Sequence, residues 1–103
     1  MKSVYVITRS QYKEDGNDQC VMAIHETLEG AREHFKTIVE EEKSLYMYSE
    51  SDSTDTSREA LEEMGVEENW HEDASDGTLN YHIWRPDGWN ELYIDMWIYP
   101  VLA

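Results

Sequence analysis

The sequence has few of the residues that hold a small domain together by cross-links or metal ions. Cys20 is the only cysteine among 103 residues, which excludes an intramolecular disulfide and a cysteine-based zinc site. The segment that begins at His25 starts like a zinc-protease motif, but Glu29 stands where that motif has its second histidine. We therefore expect no metal site and no cofactor.

Long apolar runs are also missing. No stretch approaches the ~20 apolar residues that a membrane span requires. The apolar run at residues 4–8 is too short for a signal peptide and lacks a small-residue cleavage site. A reducing cytoplasm is therefore the expected location, and we expect no membrane binding.

Basic residues are scarce. Eight Lys and Arg residues oppose 23 Asp and Glu residues, which gives a formal net charge of −15. Nucleic acid should repel such a chain, whereas basic surfaces, including those that bind nucleic acid, should attract it. We therefore expect a basic protein as the partner and no direct binding of nucleic acid. The alternative is that acidity only promotes solubility.

The negative charge is concentrated in the middle of the sequence. Residues 40–76 contain fourteen carboxylates opposed only by Lys43 and Arg58, so they carry −12 of the total. Spaced carboxylates on a folded surface can imitate the charges of a phosphate backbone. The predicted partner-binding carboxylates are Glu40, Glu41, Glu42, Glu59, Glu62, Glu63, Glu67 and Glu68. The alternative is a solvated helix face followed by a flexible loop.

Apolar patterning predicts an α+β fold. Residues rich in β-branched and aromatic side chains predict strands at 4–8, 20–24, 81–84 and 91–99, with residues 12–18 as a polar connection in an antiparallel hairpin. Cys20 falls in the second strand, which predicts a core position for it.

Helical periodicity is clear between the second and third predicted strands. Apolar residues recur at three- and four-residue spacing, which predicts a helix over about 28–46 with Thr27 as its N-cap. Ser57 can cap a short second helix that ends at Gly65. The simplest fold that fits these elements is one domain over 1–103 with two layers. About four mostly antiparallel strands form one layer and one long helix forms the other, in the order β-β-α-(α)-β-β. An acidic loop and short-helix insertion would occupy about 47–79.

The last predicted strand has two different faces. Its even positions, Leu92, Ile94, Met96 and Ile98, are apolar and should face the helix. Its odd positions place aromatic rings beside carboxylates, a composition common in protein recognition. The predicted anchors are Trp84, Tyr93, Asp95 and Trp97, with Trp89 nearby. Alternatively, these rings stabilise the hairpin through cross-strand pairs or lie under the acidic segment, and a homodimer through this face fits the pattern equally well.

Catalytic signatures are absent from the sequence. Four histidines occur without a recognisable nucleophile motif, and there is no glycine-rich phosphate loop. We therefore expect a binding protein rather than an enzyme.

In size, charge and its acidic middle segment, the chain resembles the small acidic proteins that phages and mobile elements use against host defences. These include anti-CRISPR and anti-restriction proteins, several of which imitate DNA. The resemblance implies an inhibitor that occupies the nucleic-acid site of a basic defence protein, in the host cytoplasm if a phage encodes it. The alternatives are an immunity protein or antitoxin that neutralises a basic toxin, and a self-associating structural or accessory protein.

Overall fold

In the computed structural model, which describes residues 2–101, the chain begins with a long β-hairpin. β1 (Lys2–Lys13) and β2 (Gly16–His25) pair antiparallel, as predicted. The connection is shorter than residues 12–18, because the pairing continues until Lys13 lies opposite Gly16. Gly16 has a positive φ of 147°, which glycine adopts without the steric penalty of a side chain, and it sits directly after the tight turn.

The long helix α1 (Leu28–Ser51) follows the hairpin. The Thr27 side chain accepts a hydrogen bond from the first turn, which confirms the predicted N-cap. The helix continues past the predicted end at residue 46 and stops at Asp52, which has left-handed backbone geometry. Tyr46 and Met47 are both buried, so packing against the sheet supports a further turn that the apolar spacing alone did not indicate.

The remaining elements complete a two-layer α+β fold. They are α2 (Arg58–Met64), β3 (Glu67–Glu72), β4 (Leu79–Trp84) and β5 (Glu91–Val101). Ser57 and Gly65 cap α2 as predicted. The sheet has the strand order β2-β1-β5-β4-β3, and every neighbouring pair is antiparallel. The fold class is therefore confirmed, but the described sheet has five strands rather than four.

β3 is the element that the sequence analysis missed, since it lies inside the predicted acidic insertion. Its sequence, Glu-Glu-Asn-Trp-His-Glu, has no alternation of apolar and polar residues. It is an edge strand, so only one of its sides pairs with a neighbour. Trp70 packs against the core, with its ring centroid 4.9 Å from that of Tyr81 and 6.0 Å from that of Phe35. Besides the pairing with β4, this aromatic anchor and the ion pairs of Glu68 with Lys43 and of Glu72 with Arg32 hold an otherwise polar strand in place.

The core lies between α1 and one face of the sheet. The helix buries Ala31, Phe35, Ile38 and Val39, and the sheet buries Ile7, Leu79, Tyr81, Ile83, Leu92, Ile94 and Met96. The predicted inward face of β5 is thus buried at three positions, and Ile98 is half-buried. Cys20 is exposed rather than in the core, because β2 is the other edge of the sheet and most of its residues face solvent.

One buried ion pair joins the helix layer to the sheet. Nε of Arg9 on β1 lies 2.5 Å from Oε1 of Glu42 on α1, and Glu42 is only 7% exposed. Arg9 also contacts Gln11, whose side-chain amide donates to Oδ1 of Asn90 at 2.8 Å. The Tyr46 hydroxyl donates to the main-chain carbonyl of Asn90 at 2.8 Å. This network connects α1, β1 and the residue before β5.

Removing Glu42 should destabilise the fold, because Arg9 would lose its buried partner and keep only the exposed carboxylate of Asp18, 3.2 Å away. We expect Glu42→Ala to lower the free energy of unfolding by about 3 kcal/mol. Glu41→Ala, at the exposed neighbouring position, should change it by less than about 0.5 kcal/mol. Urea unfolding of both variants measures the difference, and equal small losses would contradict a structural role for Glu42.

Candidate functional site

The sheet face that points away from α1 is uncovered by any described element, and we call it the open face. Cross-strand partners share a face of a sheet, so the register defines its members. Its central strands contribute Val4, Val6, Thr8, Ser10 and Tyr12 from β1, Glu91, Tyr93, Asp95, Trp97 and Tyr99 from β5, and Asn80, His82 and Trp84 from β4. The predicted anchors Trp84, Tyr93, Asp95 and Trp97 therefore lie on one surface.

Four rings form a continuous row on this face, which we call the aromatic ladder: Tyr12, Tyr93, His82 and Trp84. The Tyr12 ring meets Tyr93 edge-on at 5.8 Å. Tyr93 stacks on His82 at 4.0 Å, and His82 stacks on Trp84 at 4.2 Å. Cross-strand stacking, the alternative role for these rings, is thus present. Tyr12, predicted to lie in the hairpin connection, belongs to β1 instead, since the alternate positions of this strand continue regularly from Val4 to Tyr12.

The imidazole of His82 is enclosed by the ladder. Its Nε2 is buried without a hydrogen-bond partner among residues 2–101, and Oε1 of Glu91 lies 3.7 Å away. Burial lowers the pKa of His82, and the nearby carboxylates of Glu91 and Asp95 oppose that effect only in part. Burial likewise raises the pKa of the Tyr93 hydroxyl. At neutral pH the ladder therefore contains an uncharged imidazole.

The other end of the open face is apolar. We define the apolar patch as Val21, Ile24, Trp97, Tyr99 and Val101, with Val4 and Val6 half-buried between them. Trp97 is 48% exposed and Tyr99 is 52% exposed. The indole N–H of Trp97 donates to the Thr8 hydroxyl at 2.8 Å, which fixes the ring against the sheet. The charged residues at this end, Lys2 and Glu26, pair with each other at 3.8 Å.

The predicted carboxylates lie mainly on the opposite side of the molecule. We define the acidic layer as the exposed carboxylates of the two helices: Glu29, Glu33, Glu40, Glu41, Glu59, Glu62 and Glu63. The twelve predicted site residues therefore do not form one surface, because helices and open face are separated by the sheet. Glu67 stands at the edge between them, opposite Trp84 in the register.

Two of the predicted carboxylates are not free. Glu42 is buried and paired with Arg9, so its expected place on a partner-binding surface is wrong. Glu68 is half-buried and its Oε2 lies 2.6 Å from Nζ of Lys43. Both carboxylates are used inside the fold, which leaves Glu40, Glu41, Glu59, Glu62, Glu63 and Glu67 exposed.

Most of the positive charge is used within the chain. Five of the eight basic residues, Lys2, Arg9, Arg32, Lys43 and Arg85, form ion pairs with seven of the 23 carboxylates. Sixteen carboxylates therefore have no Lys or Arg partner among residues 2–101. The excess of unpaired carboxylates over unpaired basic residues gives the surface a strongly negative potential.

A groove of about 760 Å³ lies at the edge of the sheet beside β3. Its lining includes Arg58 and Glu62 from α2, Glu67 from β3, and Trp84 from the aromatic ladder. The groove connects the acidic layer with the open face. Trp89, which is 74% exposed, belongs to neither surface. It lies in the turn between β4 and β5 and borders a separate depression with Lys13 and Arg85.

Over the described part of the chain, no group of three or more His, Cys, Asp or Glu side chains is placed to hold a metal ion. No described helix has the length and apolar character needed to cross a membrane.

Comparison with known proteins finds no match to a family model, to a curated protein or to a solved structure.

Protonation of His82 should destabilise the fold, because the folded-state pKa lies below the ordinary value of 6.5. Below about pH 6.5 the unfolded chain then binds more protons than the folded chain, so stability falls as the pH falls. We expect the stability difference between the wild type and His82→Gln to be constant above about pH 7.5. It should shrink as the pH falls below about 6.5 in urea unfolding. A pH-independent difference would show that the ring contributes only packing.

Proposed function

We propose that this chain inhibits a basic, nucleic-acid-binding protein of host defence, of the kind that anti-CRISPR and anti-restriction proteins target, by occupying its nucleic-acid site. The observation that supports the proposal is the acidic layer. Seven carboxylates project from the two helices, while most of the basic residues are paired elsewhere. A cleft that binds phosphates would be attracted to this layer by the same Coulomb forces.

The spacing of the exposed carboxylates indicates that both helices would be needed to imitate the phosphates of DNA. Glu29, Glu33 and Glu40 are exposed along α1 and are four and seven residues apart. At a rise of 1.5 Å per residue they are spaced about 6 Å and about 10 Å along the axis. Phosphates of one DNA strand follow at about 3.4 Å along the duplex axis. The carboxylates of one helix are therefore too sparse to imitate a strand, and α2 adds the exposed carboxylates of Glu59, Glu62 and Glu63.

In this proposal the net charge acts at two ranges. At long range, the charge of −15 steers the chain toward a basic surface and increases the association rate. At contact, carboxylates replace phosphates as partners of Lys and Arg side chains on that surface. Nucleic acid and this chain then compete for the same groups, so binding of one excludes the other.

An immunity protein or antitoxin that neutralises a basic toxin is the second candidate. It would use the same acidic layer, and the identity of the basic partner distinguishes the two functions. A toxin encoded beside this chain would favour the antitoxin.

Neutralising part of the acidic layer should weaken binding to the basic partner. The partner is obtained by affinity capture from host lysate, as a nuclease or CRISPR effector that high salt or competing DNA releases. We expect Glu62→Gln/Glu63→Gln to reduce its affinity about tenfold, at about 0.7 kcal/mol for each exposed charge contact. The matched control is Glu14→Gln/Asp15→Asn in the β1–β2 turn, which changes the net charge equally. It should reduce affinity less than about twofold, since it alters only long-range attraction.

Isothermal titration at two salt concentrations gives both affinities. Equal losses in the two variants would mean that net charge alone attracts the partner and that the acidic layer makes no contact. Binding to the captured protein that DNA does not displace would contradict occupation of the nucleic-acid site.

A further inference from the structure

We propose that His25 and His34 form a two-histidine site for a divalent transition-metal ion, with Ni²⁺ or Cu²⁺ preferred to Zn²⁺. The site joins the end of β2 to the second turn of α1. It does not depend on the proposed function, because neither histidine takes part in the proposed contact with a basic protein.

The fold brings together two histidines whose sequence spacing matches no metal-binding motif. His25 is the last residue of β2, and Glu29 stands where the zinc-protease motif has its second histidine. The chain turns into α1 at Thr27, so His34 lies on the helix beside the end of the strand. Nε2 of His25 is 2.7 Å from Nδ1 of His34. Two potential ligand atoms, from different elements, therefore converge on one point.

The pair is accessible to an ion and is partly held in place. His34 is exposed, whereas His25 is half-buried. The Nδ1 side of the His25 ring faces the first turn of α1, where a Cβ added to Gly30 would lie 3.6 Å from Nδ1. The planes of the two rings are at 84° to each other. His25 is thus the fixed member of the pair, and His34 can rotate at the surface to admit an ion.

The distance between the two nitrogens determines which ions fit. With metal–nitrogen bonds of about 2.0–2.1 Å, two ligands at a right angle are about 2.9 Å apart, and two tetrahedral ligands are about 3.3 Å apart. The 2.7 Å between the histidine nitrogens is closer to the right-angle value. Cu²⁺ and Ni²⁺ take tetragonal geometry with right angles, whereas Zn²⁺ prefers a tetrahedron. Opening the pair by about 0.2 Å would therefore admit Ni²⁺ or Cu²⁺.

The surroundings of the pair favour a cation but supply no further protein ligand. Within residues 2–101, no third His, Cys, Asp or Glu side chain is placed to complete a metal site, so water would occupy the other coordination positions. The net charge of −15 raises the concentration of divalent cations near the surface. A bound ion would cross-link β2, an edge strand, to the helix layer. Metal binding should therefore also stabilise the fold by mass action.

Isothermal titration of the purified protein with NiCl₂ tests the proposal. Ni²⁺ is the probe because, unlike Cu²⁺, it does not oxidise the exposed thiol of Cys20. Neutral imidazoles are required, so the titration is made at about pH 7.5, and the affinity should fall at lower pH. The wild type should bind one Ni²⁺ with a dissociation constant on the order of 10 µM, and Zn²⁺ about threefold more weakly. His34→Gln should weaken Ni²⁺ binding at least about tenfold, because one imidazole is lost.

The matched control is His71→Gln, which makes the same substitution at another exposed histidine, on β3. It should leave the dissociation constant within about twofold, since distant sites act independently. His25→Gln is a second variant of the site and should weaken binding as much as His34→Gln does. Saturating Ni²⁺ should raise the Tm of the wild type and of His71→Gln, but not that of His34→Gln.

NMR spectroscopy locates the ion independently of affinity. Paramagnetic Ni²⁺ should broaden the imidazole signals of His25 and His34 before those of His71 and His82. Broadening centred on other residues would overturn the proposal, because the ion would then bind the surface carboxylates. So would the absence of saturable binding up to about 1 mM Ni²⁺, or a loss in His71→Gln equal to that in His34→Gln. Tighter binding of Zn²⁺ than of Ni²⁺ would overturn the right-angle geometry.

Discussion

The packing of α1 against one face of the sheet is the constraint on which the other features depend. A helix with its side chains is about 10–12 Å across, whereas five strands at about 4.8 Å spacing span roughly 20 Å. The helix therefore covers the central strands and leaves both edges thinly covered. This explains why β2 is largely exposed, why Cys20 faces solvent, and why Trp70 must extend the core to hold β3. It also leaves the whole open face without a covering layer.

One-sided packing also separates the charges of the molecule. The sheet contributes Arg9 to the interior, where it meets Glu42 from the helix. Lys43 and Arg32 on the helix pair with Glu68 and Glu72 on β3. The basic residues are thus used largely to join the two layers, and on the outward side of the helices the exposed Lys36 and Arg58 oppose the seven carboxylates of the acidic layer. The strongly negative exterior follows from the composition, since the ion pairs use seven carboxylates and five basic residues. The way the layers are joined decides on which side of the molecule the remaining carboxylates lie.

The parts of the fold that the sequence predicted are those with a clear period or a local capping signal. The apolar stripe of α1, the two faces of β5 and the caps Thr27 and Gly65 depend on residues close together in sequence. β3 could not be predicted in this way, because an edge strand with one aromatic anchor has no alternating pattern. Glu42 is a different case, because its burial depends on a residue that is distant in sequence. Its spacing from Phe35 and Ile38 places it on the buried stripe, but the partner that makes its burial possible, Arg9, is distant in sequence.

The residues of the candidate surfaces were predicted from the sequence, but their arrangement in space was not. Aromatic and acidic positions were expected to act together, yet the sheet separates them onto opposite faces. That separation has a physical consequence for binding. Association through the acidic layer weakens as salt screens the charges, whereas association through an apolar patch does not. Because the two surfaces do not overlap, the salt dependence of binding distinguishes which of them a partner contacts.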